Sequence, residues 1–386
     1  MKIALCMEYP IRQHGGTEVL VRELIRGLAP RHQLVLVSAD TSEEFSNNDL
    51  SSSVHQHVPW SAGDFTAGAV QSLGNRLAGV RPDLVHFHQG ENHAWKSFRP
   101  WKSPVAAVAR KGVPVITTNH GAFSILSGCC PSSWPRPIQW LTLPPAWLGK
   151  QVTLSHCRAE VAVSQHDYHA LRRWYPLAAG KFRWIYHSQL YGAPPPFNPA
   201  RRNVVLCAGT IGLRKGQTYL VEAYGRIASK YPDWQLVLVG RQGDELMMRR
   251  IRELITHHRL EKQVQLPGPC SDEELREWYQ QAAIFCIPSI YEGLGLSLQE
   301  AQFHGCAAVG TRCGGVADLI QDGDNGLLVP ARDPAALAVA LEKLMSDAAL
   351  RERFSRRAPQ SVLEKNMTAA GMVAAYEKLY AEVLNS

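Results

Sequence analysis

The sequence predicts an α/β fold built as two doubly wound domains with parallel strands. Three observations carry this expectation. The chain has 386 residues, enough for two cores. Short apolar runs alternate with amphipathic segments through both halves, the pattern of βαβ units. Gly192–Pro199, GAPPPFNP, reads as a stiff, extended linker between the halves. The predicted division is 1–190, a linker at 191–202, a second domain at 203–360 and a terminal helical segment at 361–386.

In the first half, Lys2–Met7 is a short apolar run and reads as the opening strand. A loop reaches Gly15 and Gly16. Thr17–Ala29 then reads as a helix, with Leu20, Leu24 and Leu28 on one face. Strand, Gly-Gly, helix is how a doubly wound domain begins, and ligands gather at the carboxyl ends of its strands. Gln33–Ser38 is a second strand, 40–61 reads as loop, and Phe65–Ala78 is weakly helical. Leu84–His88 is the third strand. His86 and His88 alternate in it with apolar neighbours, which fits a sheet face better than a metal site. Val113–Thr117 is a buried strand, and His120 lies just past its end, where ligands bind.

The segment 122–156 is Pro- and Trp-rich, with Trp134, Trp140 and Trp147 and the pair Cys129, Cys130. Its prolines speak against a long regular helix between Pro131 and Pro145. Its tryptophans suggest a surface for lipid or an acceptor. Cys129, Cys130, His156 and Cys157 match no standard zinc spacing, and no metal is expected. Glu160–Ser164 and Phe182–Tyr186 are strands flanking a helix at Gln165–Tyr175.

In the second half, Asn203–Ala208 is a strand leading into Gly209–Gly216, GTIGLRKG. Lys215 in this Gly-bounded loop is the expected counter-charge for a phosphate, although no G-K-[ST] closes a Walker loop. Gln235–Val239 and Val264–Leu266 are further strands, with helices at Asp244–His258 and Asp272–Ala282, the latter capped by Ser271. Ile284–Ile287 is a buried strand followed by the stretch Tyr291–Gly305, YEGLGLSLQEAQFHG. A Gly loop entering a helix leaves N–H groups that bind anions. Glu292 and Glu300 flank it, seven residues intervening. Ser297 to Glu300 also fits a capping box, in which Glu300 would only close the helix end. Cys306–Gly310 and Leu327–Val329 are strands. Asp322-Gly323-Asp324 reads as turn chemistry rather than a metal-binding D-x-D. Asp333 caps a helix whose apolar face is Val339, Leu341, Leu344 and Met345. Thr368–Leu384 is the last helix.

Charged residues make up 19% and hydrophobic ones 45%, so the chain is globular. No run of 18 apolar residues occurs, and Met1–Ile11 lacks a signal-peptide pattern. Cysteines such as Cys6, Cys207 and Cys286 lie in strand-like runs and read as buried hydrophobes of a reducing compartment, hence a cytoplasmic protein. Residues 1–190 carry 19 Lys and Arg against 12 Asp and Glu and eight of the ten Trp, while 191–386 are balanced. This asymmetry suggests an acidic, amphipathic partner or an anionic membrane surface, at which the protein would be peripheral. No nucleic-acid partner is expected.

Tyr291–Gly305 resembles the E-x7-E segment of family 4 retaining glycosyltransferases, and the resemblance extends over nearly the whole chain, most strongly from Val204 to Leu350. It implies the GT-B fold, two Rossmann-like domains facing a central cleft, with the final helix crossing back to the first domain. It implies transfer of a sugar from a nucleotide diphosphate sugar, a UDP-sugar favoured, with retention and without a metal or other cofactor. The acceptor would be a glycan, glycolipid or other hydroxyl, lipid-linked acceptors included, in cell-envelope or exopolysaccharide synthesis. Carried over, Glu292 contacts the transferred sugar, and the amides of Gly295, Leu296 and Ser297 hold the diphosphate. Glu300 binds the ribose, Lys215 clamps the diphosphate, His120 hydrogen-bonds the sugar, and Gly15 and Gly16 approach the donor. Two departures stand out. Thr210 occupies a position where the family has Arg, with Arg214 the nearest substitute, and His187-Ser188 replaces an Asn-Gly turn. Alternatives are a GT-B nucleotide-sugar epimerase and an inactive GT-B binding scaffold.

Overall fold

Strands of five or six residues that are apolar on both faces can only be satisfied inside a parallel sheet covered by helices. The first such run, β1 (Lys2–Cys6), is buried from Ile3 onward. The computed structural model describes residues 1–12, 15–61, 63–127, 129 and 135–386. After β1 come α1 (Gly16–Leu28), β2 (Gln33–Ser38), α2 (Ser42–Ser46), β3 (Gln56–Pro59), α3 (Ala67–Val80), β4 (Leu84–Gln89), α4 (Pro104–Ala109), β5 (Val115–Asn119), α5 (Arg136–His156), β6 (Ala159–Ala162), α6 (Gln165–Trp174) and β7 (Phe182–Trp184). The chain continues with β8 (Arg202–Ala208), α7 (Gln217–Gly225), β9 (Gln235–Val239), α8 (Glu245–His258), β10 (Val264–Gly268), α9 (Asp272–Gln281), β11 (Ala282–Ile287) and α10 (Leu296–Phe303). It ends with β12 (Ala307–Thr311), α11 (Val316–Leu319), β13 (Gly326–Val329), α12 (Pro334–Ser346), α13 (Ala348–Glu364) and α14 (Ala369–Leu384).

These elements form two units, Met1–Gln189 with Thr368–Ser386, and Leu190–Met367. Among the described residues the first holds a seven-stranded parallel sheet in the order β3-β2-β1-β4-β5-β6-β7, and the second a six-stranded one in the order β10-β9-β8-β11-β12-β13. Strand order reverses between β1 and β4 in one and between β8 and β11 in the other. These are the switch points where crevices open at the strands' carboxyl ends.

Several expectations need correction. Residues 40–61 are not all loop. They hold α2, closed by a capping box of Thr41 and Glu44, and β3, an edge strand in which only Val58 is fully buried. Segment 136–156 is a continuous helix despite Pro144 and Pro145. The bonds those prolines cannot make would have gone to the carbonyls of Trp140 and Leu141, in a turn whose side chains are 68% and 77% exposed, where water can replace them. Cys130, Pro131 and Trp134 lie outside the described residues. Gly192–Pro199 is packed on the second unit, with Phe197 under the Arg356 guanidinium at 3.8 Å and Asn198 donating to Gln280 O at 3.2 Å. The terminal segment divides within 361–367, since α13 of the second unit runs to Glu364 while α14 belongs to the first. Val339 lies on the exposed face of α12. Asp322 accepts from Leu328 N and Asp324 from Arg357, so this pair holds a turn. No group of His, Cys, Asp and Glu among the described residues is arranged to hold a metal.

Candidate active site

The loops after β8 and β11 leave the second sheet at its switch point, and they carry the predicted residues. Lys215 ends a short 3-10 turn, Leu213–Lys215, and its Nζ lies 2.8 Å from Glu292 Oε1. Ser289 Oγ donates to the same oxygen at 2.6 Å, and an Arg214 guanidinium nitrogen stands 3.9 Å from Oε2. The loops are tied together by Ile290 N donating to Arg214 O at 2.8 Å. Burial pushes the Glu292 carboxyl up. Lys215, Arg214 and the bonds from Lys215 and Ser289 outweigh it, and the net shift is downward. Glu292 is therefore a fixed, buried carboxylate with open hydrogen-bonding capacity, suited to accept from a sugar hydroxyl.

Three residues further on, Gly295 is the N-cap of α10 with φ +97°, a left-handed conformation that favours glycine. The first intrahelical acceptor is Gly295 O, reached from Leu298 and Gln299, so the Leu296 and Ser297 N–H groups precede the helical bonding. The capping box does not form: Ser297 is the second residue of the helix, and the cap has no side-chain bond. Glu300 is thereby released from that role. It is half-buried beside the Tyr279 phenol, whose pKa is raised first by burial and then by Glu300.

The loop is clamped from below. Gly315 N donates to Glu292 O at 3.0 Å, and a Cβ on Gly314 would lie 1.8 Å from that carbonyl. Gly314→Ala must displace the Glu292 backbone. We expect it to lower kcat/KM at least tenfold. Gly323→Ala, at a comparable φ of +80° but in open space, should leave activity unchanged and cost about 1 kcal/mol of stability. Equal kinetics for the two variants would contradict this placement.

Thr210 does not replace the missing cation. It is exposed, and its Cγ2 would meet a Cβ added at Gly243 at 2.5 Å. Arg214, at 3.9 Å from Glu292 Oε2, is a second cation beside Lys215.

In the first unit, Gly15 is the N-cap of α1 with φ −118° and ψ 165°, extended backbone open to any residue. The space a Cβ there would take is filled by Glu18 Oε2, at 2.2 Å. This carboxylate also bonds its own amide, so the α1 N-terminus, at Gly15 and Gly16, already faces a negative charge. Its neighbours Gln13 and His14 lie outside the described residues.

His120 follows β5, and its backbone N–H donates to Gln89 O at 2.8 Å. Its Nε2 lies 3.1 Å from His88 Nδ1, and its ring stands edge-on to His187 at 5.0 Å. His86 bonds Thr118 Oγ1 at 2.7 Å and Tyr380 Oη at 2.8 Å, while His187 Nε2 bonds Tyr376 Oη at 2.6 Å. Burial lowers all four histidines, His86 and His120 to about 3. His120, the part-exposed member, is neutral at ordinary pH, which suits a hydrogen bond to a sugar rather than a charge on one.

Sequence reasoning missed Ser289 and gave no meaning to His187. The pairing of His187 with Tyr376 joins residues 189 positions apart. It also missed Glu8 after β1, whose carboxyl burial pushes up to about 7 while it accepts from Trp95 N at 2.8 Å.

Comparison with known proteins identifies the family. A family model described as Glycosyltransferase Family 4 matches residues 14–188, and one described as Glycosyl transferases group 1 matches 194–361. D-inositol 3-phosphate glycosyltransferase of Xylanimonas cellulosilytica is 26% identical over 406 aligned positions, covering 94% of this chain and 91% of that protein. Alpha-D-kanosaminyltransferase of Streptomyces kanamyceticus is 31% identical over 44% of each. Among solved structures, a glycosyltransferase from Rickettsia africae superposes with a TM-score of 0.78 at 19% identity, covering 99% of this chain and 98% of that one. Anabaena HepE in complex with UDP and glucose superposes with a TM-score of 0.72 at 16% identity, covering 99% and 100%. The chain belongs to the family 4 glycosyltransferases and has their GT-B fold.

Proposed function

We propose that this glycosyltransferase moves a sugar from a nucleotide diphosphate sugar, a UDP-sugar before others, with retention of configuration and without a metal. The acceptor is the hydroxyl of a glycan or lipid-linked glycan of the cell envelope or an exopolysaccharide, met at the inner membrane surface. One observation carries the donor assignment: Lys215 and Glu292 meet at the β8/β11 switch point beside the free amides of α10. HepE, solved with UDP and glucose, supports UDP as the nucleotide.

In the proposed reaction the bond from the anomeric carbon to the diphosphate oxygen breaks, and a bond to the acceptor oxygen forms on the same face. Negative charge gathers on the departing diphosphate. Lys215, Arg214 and the Leu296 and Ser297 amides stabilise it there, more strongly than in water because the dipoles are fixed in advance. The acceptor proton passes to the departing phosphate oxygen. Glu292 and His120 orient the sugar by hydrogen bonds, and Glu300 holds the ribose.

Glu300→Ala should therefore raise the donor KM about tenfold with kcat little changed, in steady-state kinetics of transfer or donor hydrolysis. A loss confined to kcat would contradict the ribose assignment. The class of reaction is tested by following UDP-glucose, UDP-N-acetylglucosamine and GDP-mannose by proton NMR, with and without EDTA. Sugar released first as the donor's own anomer, at a rate EDTA leaves unchanged, is expected. The opposite anomer, or change at the sugar's second carbon alone, would overturn the reading.

A further inference from the structure

Helix α5 is apolar where it should be polar. Its inner face is packed: Ala146, Lys150, Thr153 and Leu154 are buried, and Thr153 Oγ1 donates to Ser97 O at 2.6 Å. Its outer face carries Ile138, Leu141, Leu148 and Val152, all exposed and separated by three, seven and four residues along one helical stripe, with exposed Trp140 to one side of it. Gly149 lies so close to Phe98 O that a Cβ would approach it to 2.0 Å, which holds the 97–102 segment against the helix. That segment presents Trp101, 68% exposed. Exposed apolar side chains gathered in this way on a folded chain mark a binding face.

Charge indicates what covers it. From Asn92 to Ala159 there is no Asp or Glu, while eight Lys and Arg occur. Lys150 is committed internally, to Glu160 at 2.9 Å. Lys96, Arg99 and Lys102 instead line a cleft of about 290 Å³ with Phe65 and Thr66. The Asp64 carboxylate in this cleft accepts from Thr66 N and Oγ1 at 3.1 and 2.9 Å. Trp95 and Lys96 are held at φ +56° and +51°, conformations uncommon outside glycine.

We propose that the outer stripe of α5 and Trp101 seat in the interfacial layer of an anionic lipid bilayer, with Lys96, Arg99 and Lys102 meeting lipid phosphates beside them. This rests on the lipid-side acceptor reading above and names the surface that serves it. Apolar area, interfacial Trp and clustered cations that outnumber the one acid of their cleft, Asp64, are the combination that binds peripheral proteins to such membranes.

The test is co-sedimentation of the full chain with vesicles of phosphatidylcholine alone or mixed with phosphatidylglycerol. Pelleting with the mixed vesicles only, weakened by raised salt, is expected. The double variant Trp140→Ser/Leu141→Ser should bind at least about tenfold more weakly, and Lys102→Gln about fivefold. Trp140 and Leu141 are exposed and Lys102 is half-buried at a cleft, so unfolding midpoints should not move. Binding equal on neutral vesicles, no binding, or unchanged binding by both variants would overturn the proposal. UDP-glucose hydrolysis without vesicles should be the same in every variant. A chain that pellets but neither binds nor hydrolyses a nucleotide sugar would instead contradict the proposed function and leave the surface standing.

Discussion

Lys215→Met should lower kcat by about 10²–10³-fold while the chain stays folded, because it removes one prearranged cation from the charge that develops on the leaving diphosphate. Lys215 is a quarter exposed at its side chain, so it is no anchor of the core. Arg214→Met should cost less, since that guanidinium stands 3.9 Å from Glu292 and is 48% exposed. Glu292→Ala should also lose turnover, through loss of sugar orientation, and normal turnover in that variant would remove Glu292 from the mechanism. The two effects separate by pH. Glu292 in the wild type is held below its ordinary carboxylate range. Its ion pair therefore stabilises the fold above that range and is lost as pH falls through the lowered value. Lys215→Met takes away the largest charge lowering this pKa, and its stability should begin to fall at higher pH than the wild type's. Both kinetic claims are checked by steady-state donor hydrolysis, and a change within about threefold for Lys215→Met would be contrary.

Acid should unfold the first unit before the second. His86 and His93 are each at most 1% exposed, and burial lowers each to about 3 from 6.5. The unfolded chain takes up the proton that the folded one refuses. Their contribution is therefore present above pH about 6.5 and lost as pH falls towards the folded value. At pH 5 each histidine costs about 2 kcal/mol. His88 and His187 add in the same direction, both held down first by burial and then by neighbouring histidines. Glu8, pushed up to about 7, works the other way and offsets roughly one histidine. The net loss of several kcal/mol is a large part of a typical total of about 5–15 kcal/mol. Calorimetry should show one of two transitions moving to much lower temperature between pH 7.5 and 5. A first-unit transition independent of pH over that range would mean the cluster is hydrated or charged.

Much of this molecule was legible in its sequence, and the reasons differ by element. Strands β1, β8, β9 and β11 are continuous apolar runs and announce themselves. The Lys215 and Glu292 loops could be found because a glycine loop before a helix has a chemistry of its own. The capping-box alternative for Ser297 and Glu300 could not be excluded from spacing, since it turns on one dihedral angle at Gly295 that sets where α10 starts. The edge strand β3 was hidden because QHVP buries one residue. Helix α5 was hidden because two prolines read as breakers, and only three dimensions show that the affected turn faces water. His187 had no meaning in sequence because its partner, Tyr376, lies on α14 and reaches the first unit only through the fold.

The measurement that bears most directly on the donor site is a thermal-shift titration of the wild type and Lys215→Met with UDP, each with and without EDTA. UDP at about 100 times its Kd should stabilise the wild type by about 2.7 kcal/mol, unaffected by EDTA, and the shift should largely vanish in the variant. An equal shift in both proteins, or one that EDTA abolishes, would contradict a metal-free clamp built on Lys215 and Glu292.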